Sequence, residues 1–157
     1  MEKIRKWKFG DLCKIEFKEL KELILNNNNI TDLSPLGKVK FEKLEILDLS
    51  QNKISDINSF ENARLGELTQ LYLGYNNISD IKIFDKNILN KLEILHLNDN
   101  KIDKDKNASI ISKLKSKIGD IEIWSFLWLF AIWLFNKKFK GNIFIKLILS
   151  YLNNFNY

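Results

Sequence analysis

The chain has 157 residues, which is the usual length of one domain. It carries a formal net charge of +5, but 21 of its 25 basic residues and all 20 acidic ones lie in residues 1–122, so the excess positive charge belongs to residues 123–157. The nearly neutral body argues against a nucleic-acid partner. The single cysteine, Cys13, excludes an intrachain disulfide framework and fits a reducing compartment.

Residues 1–19 are expected to form a partial repeat or a cap at the start of the fold. The first segment, MEKIRKWKFGDL, contains basic residues but no apolar run, so it lacks the pattern of a secretory signal and predicts a cytoplasmic location. The next apolar residues are spaced like those of the following unit: Phe9, Leu12, Ile15 and Phe17 correspond to Leu33, Leu36, Val39 and Phe41. An improvised cap and a fragment of a longer array are the two explanations of this start.

Residues 20–104 repeat the pattern L-x-x-L-x-L-x-x-N at an interval of 24 residues. The four copies are LKELILNNN, LEILDLSQN, LTQLYLGYN and LEILHLNDN, ending at Asn28, Asn52, Asn76 and Asn100. Leu-x-Leu places two side chains on one face of a short strand, and stacked coils then bury a continuous core. Each final asparagine stands where the chain must turn inside the stack, and its amide can satisfy buried N–H and C=O groups. Asn26, Asn27 and Asn29 match no such column and are expected to be solvated loop residues.

Residues 105–123 are expected to form a capping helix and a last strand. Apolar residues recur at helical spacing from Ile110 to Ile118. Asp105 or Asn107 is placed to cap the start of this helix, and Gly119 is placed to end it. The letters IGDIEI then repeat the spacing of the earlier strands and predict a fifth strand.

Residues 124–157 form a hydrophobic, basic tail. The run IWSFLWLFAIWLF has one polar residue, and as a helix it would span about 20 Å, less than the roughly 30 Å of a bilayer core. Three interpretations stay open: membrane attachment through residues 123–152 by Trp, Phe and Lys, a hydrophobic cap or docking segment, and unselected sequence at the end of a truncated gene.

The repeated segments, with NKISDI and NNISDI after two of the strands, resemble the leucine-rich repeat family in its short, internalin-like and phosphatase-regulator-like form. The resemblance implies an α/β solenoid arc with about five short parallel strands on its concave face, a C-terminal capping helix and the hydrophobic tail. It also implies a ladder formed by the four repeated asparagines, and partners that bind on the concave face.

The chain shows no catalytic motif. It has one histidine, His96, and no metal-ligand spacing, phosphate-binding glycine loop or nucleophile elbow. We therefore expect no enzyme activity, no cofactor and no metal, and we interpret the chain as a protein-recognition scaffold or adaptor. A membrane-attached recognition protein and a truncated repeat paralogue without its own function are the alternatives.

The residues between the inward leucines must point outward from the strands and are the candidate partner-binding residues. Aromatic side chains dominate interface energies, so Tyr72 and Tyr75 are the leading candidates. The others are Ile24, Ile46, Asp48, Gln70, Ile94 and His96. A merely solvated sheet face is the alternative interpretation of these rows.

Overall fold

The computed structural model describes residues 17–86 and 88–123. Within them, one sheet of five parallel strands runs in chain order. The strands are β1 (Glu22–Ile24), β2 (Ile46–Asp48), β3 (Gln70–Tyr72), β4 (Ile94–His96) and β5 (Asp120–Glu122). The predicted α/β arc of about five short parallel strands is therefore confirmed.

The strands pair without a slip in register, so each column of the sequence pattern lies on one face of the sheet. Leu23 pairs with Leu47, and the column continues through Leu71, Leu95 and Ile121. The three central leucines of this column are fully buried. Burying one leucine stabilises a fold by roughly 1.5–3 kcal/mol, so the stack of coils, rather than any single coil, supplies the core.

The return half of the first three described coils is a short 3-10 helix. These helices are Ser34–Lys38, Asn58–Glu61 and Lys82–Lys86. In each coil an aspartate carboxylate accepts a hydrogen bond from the N–H of the first helical residue, at 2.8 Å for Asp32 with Ser34, 2.8 Å for Asp56 with Asn58 and 2.9 Å for Asp80 with Lys82. These local turns fix the direction in which the chain leaves each strand.

The capping helix, α1, spans Ala108–Lys117 and follows β4 in place of another 3-10 helix. It buries Ile111 and Leu114 against the last repeat. Half-buried Phe84, in the preceding coil, lies with Leu114 around a narrow gap at this junction, whereas the equivalent Phe60 is fully buried under a full coil.

The expected caps of α1 are wrong in detail. Asn107 occupies the cap position, but its side chain makes no capping bond and Nδ2 donates to the Asp103 carbonyl at 2.8 Å. The Asp103 carboxylate instead accepts from the N–H groups of Asp105 and Lys106, at 3.0 and 3.1 Å. Gly119 does not end the helix through a left-handed turn, because the chain becomes extended already at the preceding residue and runs directly into β5.

Two sequence predictions lie wholly or mostly outside the described residues. They are the partial repeat over residues 1–19, of which residues 17–19 are described, and the tail over residues 124–157. Across the part of the chain that the structure describes, no helix has both the length and the apolar character needed to cross a membrane. Membrane attachment through residues 123–152 and the cytoplasmic location stay predictions.

Candidate functional site

Two rows of outward side chains cross the sheet on the side opposite the leucine core. Neighbouring members of a row come from neighbouring strands, which lie about 4.8 Å apart. The first row is Glu22, Ile46, Gln70, Ile94 and Asp120, and the middle row is Ile24, Asp48, Tyr72, His96 and Glu122. We call these ten residues the concave face. Seven of the eight predicted partner-binding residues belong to it.

Tyr72 and His96 form the centre of the concave face. Their rings meet edge to face, with centroids 5.0 Å apart and planes at 89°. The Tyr72 hydroxyl donates a hydrogen bond to Gln70 Oε1 at 2.8 Å. Partial burial raises the pKa of the Tyr72 phenol, and the carboxylates of Asp48 and Asp120 raise it further, so this hydroxyl is a neutral donor at physiological pH.

Two carboxylates beside His96 complete the centre. His96 Nε2 lies 3.5 Å from Asp120 Oδ2, and Nδ1 lies 3.8 Å from Glu122 Oε2. The histidine side chain is 25% exposed, yet its Nε2 atom is covered and has no hydrogen-bond partner in the structure. Asp120 and Glu122 were not among the predicted site residues. The IGDIEI pattern contained the signal, since it places both at outward positions of β5.

The remaining outward residues surround this centre. Ile46 and Ile94 are half-buried, whereas Ile24 is 52% exposed at the β1 edge. Asp48 is held by its neighbour, because its Oδ1 accepts from the Ser50 N–H at 2.9 Å and from the Ser50 hydroxyl at 2.6 Å. The face therefore combines aromatic, aliphatic and acidic groups whose positions are fixed by the sheet.

Tyr75 lies in the turn after β3 rather than on the strand rows. Its backbone is left-handed, with φ of 57°. The same conformation occurs at the equivalent positions, which are Asn27, Gln51 and Asp99. A left-handed backbone is disfavoured for most residues and tolerated by asparagine. Asn27 is exposed in this turn, as predicted for a solvated loop residue, and it has a conformational role in addition.

The repeated asparagines satisfy backbone groups of two coils at once. Asn76 is buried, and its Oδ1 accepts from the Ile54 N–H at 2.9 Å. Its Nδ2 donates to the carbonyls of Leu49 and Leu73, at 3.0 and 3.1 Å. Because Leu49 and Ile54 belong to the preceding coil, one amide connects consecutive coils.

The other three asparagines follow the same column with different burial. Asn52 and Asn100 each accept from an N–H of the preceding coil at 2.9 Å and donate to carbonyls of both coils. Asn28 is exposed and donates to the Leu25 carbonyl of its own coil at 2.9 Å. The column is thus exposed at Asn28, buried at Asn52 and Asn76, and half-buried at Asn100.

Comparison with known proteins agrees with this architecture. A family model of leucine-rich repeats, in two copies, matches residues 18–62. Similar solved structures include an internalin (InlF) of Listeria monocytogenes strain 4b F2365, with 34% identity over 68% of this chain and 29% of that one and a TM-score of 0.56. An internalin C2 (InlC2) of the same strain has 31% identity over 68% of this chain and 42% of that one, with a TM-score of 0.52. No curated protein matches the chain.

The repeats, the parallel sheet and these similarities together identify the chain as a leucine-rich repeat protein with internalin-like repeats. It spans less than half the length of either internalin structure. Proteins of this kind generally act in protein–protein interaction and are typically non-enzymatic binding scaffolds. Among the described residues, no group of three or more His, Cys, Asp or Glu side chains is arranged to hold a metal ion.

Proposed function

We propose that this chain is a non-catalytic recognition scaffold or adaptor that binds a protein partner on its concave face. The observation that carries the proposal is the aromatic pair of Tyr72 and His96 at the centre of that face. Protein interfaces characteristically place aromatic anchors at the centre and polar groups around them. Here Ile46 and Ile94 lie beside the pair, and carboxylates flank it.

The anchors of the concave face are held before any partner arrives. Tyr72 is restrained by its ring contact with His96 and by its hydrogen bond to Gln70. Each backbone strand is fixed by its neighbours in the sheet. Binding by restrained groups loses less conformational entropy than binding by mobile side chains, so a rigid curved face improves affinity without additional contacts.

A displayed library of random peptides, selected on the immobilised full chain, provides ligands for a direct test. Affinities of the selected peptides are then measured for the wild type and for the Tyr72→Ala variant. Loss of an aromatic anchor costs about 1–3 kcal/mol, so we expect Tyr72→Ala to weaken binding by roughly fivefold to more than a hundredfold.

Phe84→Ala is the matched control, because it also removes a half-buried aromatic side chain, on the wall formed by the 3-10 helices. We expect it to change affinity by less than about twofold, with the fold of both variants checked by circular dichroism. Selected peptides that bind Tyr72→Ala as tightly as the wild type would place recognition away from the concave face.

A further inference from the structure

Charge is distributed unevenly between the concave face and the rest of the described chain. The described residues contain 16 basic and 17 acidic side chains, so their overall charge is nearly balanced. The concave face nevertheless contains four carboxylates and no lysine or arginine. The carboxylates are those of Glu22, Asp48, Asp120 and Glu122.

The lysines make their ion pairs elsewhere. Salt bridges between neighbouring coils join Lys43 to Glu19, Lys86 to Glu61, Lys91 to Glu67 and Lys113 to Asp85, and none of these carboxylates belongs to the concave face. Lys21, which directly precedes β1, is held by Glu45 at 2.7 Å. Neutralisation of acidic groups within the fold thus occurs mainly on the other surfaces.

The acidic groups act on the centre of the concave face. Asp48 and Asp120 both raise the pKa of the Tyr72 phenol, although one lies on β2 and the other on β5. Asp120 and Glu122 also flank the His96 ring at 3.5 and 3.8 Å. A group that docks at the tyrosine therefore enters a negative potential produced from both sides.

A cationic side chain is the group best suited to such a centre. Guanidinium and ammonium groups are attracted to the face of a tyrosine ring, and guanidinium also pairs with carboxylates through two parallel hydrogen bonds. An acidic partner would meet like charges at the same positions, which disfavours it strongly. Because arginine stacks and pairs at once, it fits this surface better than lysine does.

We infer that the partner bound on the concave face is a basic protein segment, with arginine or lysine side chains docking at Tyr72 between Asp48 and the carboxylates of β5. This inference rests on the proposed recognition function and specifies the chemistry of its ligand. The carboxylates attract and orient the segment, and the aromatic centre anchors it.

The peptide selection described above tests this inference when the recovered sequences are compared with the unselected library. We expect enrichment of arginine and lysine, and affinities that fall steeply as salt concentration rises. The double variant Asp120→Asn/Glu122→Gln should weaken the selected peptides by about tenfold or more, because it removes two of the docking charges.

The double variant Glu42→Gln/Glu67→Gln is the control, since it changes the net charge equally through exposed carboxylates outside the concave face. We expect it to weaken binding by less than about threefold, through long-range attraction alone. Equal losses in both double variants would reduce the effect to net charge and overturn the inference.

Two further outcomes separate the inference from the proposed function. Peptides that require Tyr72 but show no enrichment of basic residues would overturn the basic partner and leave recognition by the concave face standing. Failure to recover any peptide that requires Tyr72 would contradict both.

Discussion

The two sides of the same strands follow different rules. On the inner side, a leucine occupies the equivalent position in β1 to β4 and an isoleucine occupies it in β5. On the outer side, one residue further along, no two strands carry the same side chain: the row reads Ile24, Asp48, Tyr72, His96 and Glu122. Stacking requires each coil to present the same shape to the next, whereas nothing in the stack constrains the outward row. The inner column therefore stabilises the fold, whereas the outward row is free to vary and is available to a partner.

The largest effect we expect comes from the inner side. Leu71 is fully buried between the columns of β2 and β4, so Leu71→Ala leaves a cavity and should lower the free energy of unfolding by about 2–5 kcal/mol. Urea denaturation of the full chain measures this loss. The adjacent Tyr72→Ala should cost less than half as much, because Tyr72 is only half-buried. Equal losses at the two positions would remove the distinction between the sides.

The next effect concerns the asparagines that connect the coils. Asn76→Ala leaves the Ile54 N–H and the Leu49 and Leu73 carbonyls without this partner, and each buried group left unsatisfied costs about 1–3 kcal/mol. We expect a loss of at least about 2 kcal/mol in urea denaturation. Asn28→Ala is the control in the same column, and it should cost less than about 1 kcal/mol because Asn28 is exposed and water can replace its contacts. Similar losses for the two variants would mean that the coil-to-coil bonds add little.

The periodic part of the molecule was predictable from the sequence, and the departures from periodicity were not. Five strands in chain order followed from one spacing, because identical coils can stack in only one way. Asp120 and Glu122 were missing from the candidate site because its rows were assembled from the four 24-residue repeats alone. The fifth strand was predicted, but β5 follows α1 and pairs with β4 at a separation of 26 residues rather than 24. The capping of α1 was mispredicted because Asp103, rather than Asp105 or Asn107, accepts the nearby N–H groups.

The left-handed turn after each of the first four strands was not predictable from the sequence, for a different reason. Its four positions carry Asn27, Gln51, Tyr75 and Asp99. Asparagine and aspartate are common in left-handed backbone but glutamine and tyrosine are not, so a search for one recurring residue type does not find the turn. The common feature is a backbone angle imposed by the coil. The geometry of the stacked coils imposes this left-handed backbone whatever the side chain. The conformational cost is largest for the residue type that tolerates a left-handed backbone least.

The smallest expected effect tests whether Tyr75, the remaining candidate, serves the fold or a partner. Asparagine tolerates the left-handed backbone that Tyr75 adopts, so Tyr75→Asn should raise the free energy of unfolding by about 1 kcal/mol at most. The reciprocal variant Asn27→Tyr should lower it by a similar amount, and urea denaturation of both measures the pair. If Tyr75 also contacts the partner, Tyr75→Asn will weaken the selected peptides while it stabilises the chain, and opposite signs of that kind cannot arise from damage to the fold. A loss of stability in Tyr75→Asn would instead assign the tyrosine a packing role in the turn, and binding would then depend on the strand rows alone.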